Sequence, residues 1–277
     1  MKIIHSVIEL REFLATQARI AFVPTMGNLH EGHLALMREA RQYATCVVAS
    51  VFVNPLQFGP NEDFDRYPRT LDADCEKLQG LVDVVFAPSV EQMYPQPQAV
   101  FIEPPVIANE LCGASRPGHF RGMATVVLKL LNIVQPHVAL FGKKDYQQLH
   151  IIRQMVTQLN LAVQIVGGET VRAADGLALS SRNQYLDEAQ RCIAPQLRQV
   201  LLSLRDALLQ GEKNFAQLSA HATQQLSAQG WQVDYVSLRK QADLSVMNDL
   251  TDAGVIVAAA KLGNTRLLDN IEVFLVK

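Results

Sequence analysis

The sequence predicts an α/β chain. A doubly wound, Rossmann-like parallel sheet is expected over residues 1–183, and a smaller α+β domain over 184–277. Three observations predict this. Short β-branched runs alternate with segments of helical period through the first part of the chain. Those runs are apolar on both faces, as strands buried in a parallel sheet require. After residue 183 the alternation gives way to two helical segments and then three strand-like runs. A length of 277 residues suits a larger and a smaller domain better than one core.

Residues 19–23 (RIAFV) read as the first buried strand, ended by Pro24. Residues 34–44 carry apolar side chains at 36, 37, 40 and 43–44, which is a helical period. Residues 45–53 (TCVVASVFV) form a second strand and 83–86 (DVVF) a third. A helix over 124–133, a strand over 137–141 (HVALF), a helix over 147–159 and a strand over 162–166 complete the sheet. In such sheets ligands bind at the carboxyl ends of the strands. In the second domain, residues 187–209 read as an amphipathic helix that Pro195 must kink or interrupt. Asn214 caps a further helix to about residue 229, closed by Gly230. Strand-like runs follow at 233–238, 254–261 and 271–276, with a Gly263-Asn264 turn between the last two.

Composition narrows the function. The chain is 49% hydrophobic and 19% charged, with a net charge of −2. No basic stripe is present, which argues against a nucleic acid as partner. A few placed cations would still serve one small phosphate-bearing ligand. The four cysteines at 46, 75, 112 and 192 form no Cys-x-x-Cys pair and are expected to be reduced and structural. Charged residues interrupt the N-terminal MKIIHSVIELREF, so no signal peptide is expected. The longest apolar stretch, around 255–260, is far too short to span a membrane. A soluble, cytoplasmic protein is the expectation.

The chemistry concentrates in Pro24-Thr25-Met26-Gly27-Asn28-Leu29-His30-Glu31-Gly32-His33. It begins where the first strand stops, and a helix begins near Gly32. A helix N-terminus carries about half a positive charge and unpaired N–H groups, which suit phosphate. Gly27 and Gly32 remove side chains where a nucleotide must approach. Imidazoles there can stabilise charge that builds up on a phosphate. A zinc site is the alternative for two histidines three apart. The zincin spacing is one residue longer, and no downstream Cys/His pair completes the set. The G-x-G-x-x-G and G-x-x-x-x-G-K-[ST] motifs are absent.

The His30-x-Gly32-His33 string resembles the signature of the nucleotidyltransferase superfamily, and the longer string from Pro24 resembles the pantothenate synthetase family in particular. Four further segments are similar to that family: Val53-Asn54-Pro55-x-Gln57-Phe58-Gly59, Tyr67-Pro68-Arg69-Thr70, Phe141-Gly142-Lys143-Lys144-Asp145-Tyr146-Gln147-Gln148 and Leu179-Ser180-Ser181-Arg182-Asn183. Ser115 to Phe120 and Leu262 to Asn270 resemble it as well, so the likeness covers essentially the whole chain. Lys143 departs from the acidic residue common in the family.

The resemblance implies condensation of pantoate with β-alanine through a pantoyl adenylate, with ATP as substrate, Mg²⁺, and a homodimer. It implies an ATP site of Met26, Gly27, Asn28, Leu29, His30, Glu31, Gly32, His33, Gly142, Lys143, Lys144, Asp145, Val171, Leu179, Ser180, Ser181 and Arg182. Gln57, Gln148 and Arg116 would hold pantoate, and Gln57, Asn54 and Tyr67 would hold β-alanine. His30, His33, Lys144 and Arg182 would carry catalysis, and Asp74 would contact magnesium. An acidic first helical turn explains Asp72 and Asp74 equally well. The rival readings are a related adenylyltransferase acting on a cofactor precursor, and a nucleotide-binding module without activity.

Overall fold

The computed structural model describes residues 1–60 and 62–274. Two compact units divide the chain. One comprises Met1–Lys143 with Ile151–Glu169, the other Lys144–His150 with residues 170–274. The change of unit after Glu169 comes earlier in the chain than the composition shift near residue 183.

The first unit runs β1 (Lys2–Ile4), α1 (Val7–Leu14), β2 (Ile20–Thr25), α2 (Glu31–Ala40), β3 (Cys46–Val51), a 3₁₀ turn (Pro55–Gln57), α3 (Leu71–Leu78) and β4 (Val84–Phe86). It continues with the short helices α4 (Val90–Met93) and α5 (Cys112–Ser115), then α6 (His119–Val134) and β5 (Val138–Gly142). A 3₁₀ turn (Lys143–Asp145) leads into α7 (Tyr146–Gln158), with Lys144–His150 belonging to the second unit, and β6 (Gln164–Gly168) follows in the first.

The strand order is β1-β4-β3-β2-β5-β6, and every pair is parallel. From β2 the chain moves outward through β3 and β4, then returns to lay β5 on the other side of β2. The order therefore reverses at β2 and β5, and ligands bind at such a switch point. Burial explains the order. Val23, Val47, Ala49, Val85 and Leu140 form one core with Leu36, Met37 and Ala40 of α2 and Cys75 and Leu78 of α3. Alternate residues Phe22, Val48 and Phe86 point to the opposite face. Leu10 and Leu14 of α1 and most of α6 are buried too, and α6 packs on β2 and α1. Helices thus cover both faces, as a parallel sheet demands.

The second unit holds a 3₁₀ turn (Ser181–Tyr185), α8 (Glu188–Ile193), α9 (Gln196–Leu209), α10 (Phe215–Ala228), and the strands β7 (Trp231–Lys240), β8 (Gly254–Leu262) and β9 (Thr265–Val273). The strands form one antiparallel sheet in the order β7-β8-β9. Its core joins Leu197, Leu201, Leu204 and Leu208 of α9 to Ile256, Ala258 and Ala260 of β8.

Several elements differ from their sequence expectations. Pro24 does not end β2, which continues to Thr25. The ladder to β5 stops at Phe22 while that to β3 continues, so one side of the strand is already unpaired at the proline. Pro195 interrupts the 187–209 helix as expected, dividing it into α8 and α9. The last strand begins at Thr265 rather than 271, because Arg266, Asp269 and Asn270 interrupt the apolar run without ending the ladder. Residues 275 and 276 of that expectation lie outside the described residues. β1 and α1 are elements that the sequence patterns do not predict.

All four cysteines are thiols, with Cys46 and Cys75 buried and Cys192 exposed. Burial, with the Asp83 carboxylate adding to it, pushes the Cys46 thiol up to about 11. Thiol labelling of the native chain at neutral pH should modify Cys192 first and reach Cys46 only after unfolding. Mass spectrometry of the digested protein checks this, and rapid native labelling of Cys46 would contradict it.

Candidate active site

The loop between β2 and α2 sits at the switch point, and its conformation is specified atom by atom. Gly27 and Asn28 both adopt positive φ, +83° and +51°. A β-carbon on Gly27 would also lie 3.0 Å from both Asp74 Oδ2 and Val51 Cγ1, so backbone and neighbours together require glycine there. The Gly27 amide donates to Thr25 Oγ1 at 3.2 Å. The Asn28 and Leu29 amides donate to the two carboxylate oxygens of Asp74, at 2.8 and 2.7 Å.

His30 is the N-cap of α2. Its Nδ1 accepts from Gly32 N at 3.1 Å, and His33 Nδ1 accepts from His30 N at 3.3 Å. This is a reciprocal capping box built from two imidazoles. The chemical consequence is specific. A backbone N–H can only donate, so both Nδ1 atoms must be unprotonated, and each neutral ring carries its proton on Nε2. Two Nε2–H donors therefore stand at a helix start, on rings whose centroids are 4.1 Å apart.

Part of the amide cradle the sequence suggested is thus already used. Asp74 takes the loop amides of Asn28 and Leu29, and the imidazoles take those of His30 and Gly32. Leu29 is buried in the core. Glu31 points to solvent and pairs with Arg38, which holds its carboxyl below the usual range.

Asp74, expected at a magnesium ion, is fully buried. Besides the two amides it accepts the Thr70 hydroxyl at 3.1 Å. Its oxygens are committed to the loop. Asp72 is exposed. Among the described residues no group of three or more histidine, cysteine, aspartate or glutamate side chains is placed to hold a metal ion. Asp74 therefore does not fit the magnesium contact implied by the resemblance, and no chemical step is drawn through the ion.

Next to this junction, Asn54 is 1% exposed and caps the 3₁₀ turn after β3. Its Nδ2 donates to Gln57 Oε1 at 3.1 Å and to Gly122 O at 3.2 Å. Its Oδ1 accepts from Tyr94 OH at 2.7 Å and from Leu56 N at 3.3 Å. All the hydrogen-bonding capacity of that amide is used, so Asn54 fixes Gln57 and could meet a substrate only by giving up one of these bonds. α6 packs so tightly on the turn that a β-carbon at Gly122 would lie 1.9 Å from Leu56 O. Gln57 Nε2 donates to Met26 Sδ at 3.0 Å. Sulfur is a weak acceptor, so an incoming carboxylate or hydroxyl can displace it cheaply.

Arg116, expected at pantoate, forms a bidentate pair with Glu62 (Nε to Oε1 2.7 Å, Nη2 to Oε2 2.5 Å). Its Nη1 lies 3.0 Å from His119 Nε2, and His119 Nδ1 lies 2.8 Å from Gln57 O. A substrate acid reaching Arg116 must therefore compete with Glu62. Tyr67 is buried and meets Phe58 edge-on, with ring centroids 5.9 Å apart. Beyond Met26 the carboxyl ends of β2, β3 and β4 border a cleft of about 270 Å³, lined by Val53, Phe64, Arg69 and Pro88 among others.

At the end of β5, a β-carbon on Gly142 would meet nothing within 4 Å, which leaves that edge open. Lys143 pairs with Glu169 at 2.6 Å. In the second unit, the 3₁₀ turn places Lys144 Nζ 3.6 Å from Asp145 Oδ1, and Gln148 lies partly exposed in the first turn of α7.

Also in this unit, Leu179 N donates to Val171 O at 3.0 Å, which closes a short hairpin. Arg172 anchors the hairpin by a bidentate pair with Asp269 of β9 at 2.7 and 2.8 Å. Ser180 then caps the turn that carries Ser181 and Arg182. Lys144, Ser180 and Arg182 line one small cavity. Arg198 lines it too; burial, with repulsion from Arg172, lowers its pKa. The sequence did not flag Arg198, because one arginine on an amphipathic helix carries no local signal.

The family model for pantoate-beta-alanine ligase matches residues 2–272. The chain is 56% identical over 274 residues to the pantothenate synthetase of Methylobacillus flagellatus, covering 98% of each. It is 54% identical over 275 residues to that of Thiobacillus denitrificans, covering 99% of this chain and 97% of the relative. Among solved structures, the pantothenate synthetase of Thermus thermophilus superposes with a TM-score of 0.93 at 45% identity, covering 99% of this chain and 100% of that one. The Francisella tularensis pantoate-beta-alanine ligase, complexed with beta-gamma ATP and β-alanine, gives 0.81 at 36% identity, covering 98% and 97%.

Proposed function

The chain belongs to the pantoate–β-alanine ligase family, and from that premise we propose how its residues divide the reaction. It joins pantoate to β-alanine with ATP, forming pantothenate. In the proposed route a carboxylate oxygen of pantoate attacks the α-phosphorus, the bond to the bridging oxygen breaks, and pyrophosphate leaves. The amine of β-alanine then attacks the acyl carbon of the adenylate. The carbon–oxygen bond to phosphate breaks, AMP leaves with the electron pair, and the nitrogen sheds a proton to water.

The first step brings two anions together, so it needs positioned positive charge and donors more than a strong base. The observation that carries this reading is the imidazole capping box, which spends both Nδ1 atoms on the fold and keeps two rings with Nε2–H donors at the switch point of the sheet. Lys144, Ser180, Ser181 and Arg182 take the β- and γ-phosphates and balance charge as pyrophosphate departs. Gln57 holds pantoate and then β-alanine through Nε2, and Gln148 meets pantoate. A homodimer in the cytoplasm completes the proposal. No helix among the described residues is long and apolar enough to cross a membrane.

Isotope transfer tests the intermediate. Pantoate labelled with ¹⁸O in its carboxylate should deliver one label to the phosphate of AMP, and ATP–pyrophosphate exchange should require pantoate but not β-alanine. Unlabelled AMP would rule out the pantoyl adenylate, and exchange driven by a phosphorylated cofactor precursor instead would replace this reading with the adenylyltransferase one.

A further inference from the structure

We propose that Asp74 and Lys77 of α3 form a two-point clamp on the β2–α2 loop, so that Asp74 is a positioning residue for His30 and His33. The proposal rests on the functional reading above only for how its activity arm is interpreted.

The geometry of the clamp is explicit. Asp74 takes the Asn28 amide on Oδ2 and the Leu29 amide on Oδ1, at 2.8 and 2.7 Å. One turn further along the same face of α3, Lys77 Nζ donates to the Leu29 carbonyl at 2.8 Å. Leu29 is therefore held at both its N–H and its C=O by one helix. The Thr70 hydroxyl braces the carboxylate at 3.1 Å.

A carboxylate is needed there for a physical reason. Two consecutive residues at positive φ turn successive amides toward one point, which makes an anion-binding concavity. Left empty, it would bury N–H groups without partners and would leave Asn28 in the left-handed region with nothing to hold it. Asp74 fills the concavity from within the chain. The residue after Leu29 is the N-cap His30, so the clamp sets the position from which the capping box starts.

The test uses ¹⁵N-labelled full-length chain, unaltered and as Asp74→Asn and Lys77→Met. In Asp74→Asn the carboxamide presents an N–H₂ to one of the two amides. The Asn28 and Leu29 amide protons should move upfield and exchange with solvent at least about tenfold faster. The kcat of pantoate-dependent ATP–pyrophosphate exchange should fall about 10–100-fold, since misplacement near 1 Å costs on that order. The magnesium concentration for half-maximal rate should stay within about twofold, which a lost metal ligand would not allow. Lys77→Met, which keeps the aliphatic stem, should lower kcat about 3–10-fold, with Lys77→Arg restoring most of it. It covers the case in which Asp74→Asn does not fold. Unmoved Asn28 and Leu29 amides in Asp74→Asn overturn the clamp, as does activity regained by adding magnesium. So does Lys77→Met with unchanged kcat and an unmoved Leu29 amide. If the unaltered chain shows no pantoate-dependent exchange, the functional reading falls, and the amide shifts still decide the clamp.

Discussion

Replacing His33 by asparagine should lower the rate of pantoate-dependent ATP–pyrophosphate exchange by about 10²–10³-fold while leaving thermal stability nearly unchanged. The reasoning comes from the two nitrogens of one ring. Nδ1 of His33 is spent on the fold, because it accepts the His30 amide at 3.3 Å and closes the cap of α2. Nε2 is therefore the protonated donor, and it is the atom a phosphate oxygen would meet. Asparagine places a carbonyl oxygen close to where Nδ1 was, so the cap survives and the donor is lost. Glutamine does the reverse, since its amide nitrogen reaches the place of Nε2 while nothing accepts the His30 amide. His33→Gln should keep more activity than His33→Asn and lose about 1 kcal/mol of stability, the usual cost of an N-cap. Melting curves and exchange rates on the two variants separate the roles. An asparagine variant within about threefold of the unaltered rate would remove His33 from catalysis.

The legible and illegible parts of this chain differ in range. The 24–33 loop could be placed from sequence because strand, glycine and helix start are local signals, and the β-branched runs at 19–23 and 45–53 fix β2 and β3 by composition alone. That His30 and His33 share one structural device was not readable, since both Nδ1 atoms turn inward only once α2 begins at Glu31. Asp74 misled for a similar reason. An aspartate in a first helical turn suits the helix dipole whatever else it does, and its true partners lie more than 40 residues away at Asn28 and Leu29. Arg116 pairs with Glu62 across 54 positions, which no spacing rule detects. β9 was half-missed because Asp269, although ionisable, is 4% exposed and paired with Arg172. A charged residue in a strand looks like an exit to solvent until its partner is known.

Asn54→Ala should cost both stability and activity, although the fold already uses every hydrogen-bonding position of the Asn54 side chain. Its side chain holds four partners, and removing it strands the Tyr94 hydroxyl, the Leu56 amide and Gln57 Oε1 in a largely buried place. Burial alone raises the Tyr94 phenol well above its ordinary pKa, so that hydroxyl stays neutral and needs its acceptor. Each stranded buried polar group costs about 1–3 kcal/mol. Relaxation and water entry recover part of that, so a stability loss of about 2–4 kcal/mol is expected, read from urea unfolding. The activity effect follows from orientation. With Oε1 tethered by Asn54, Gln57 keeps Nε2 facing Met26 Sδ, a weak acceptor that a substrate oxygen displaces. Untethered, the amide can rotate or flip, and kcat/KM for β-alanine should fall about tenfold, against about a hundredfold for Gln57→Ala. The double variant decides the mechanism. If Asn54 acts only through Gln57, Asn54→Ala adds nothing to kcat/KM once Gln57 is alanine, a coupling of about 1.4 kcal/mol for the lost factor of ten. Independent, additive losses would mean that Asn54 meets the substrate directly after all, and its four hydrogen bonds would then have to rearrange on binding.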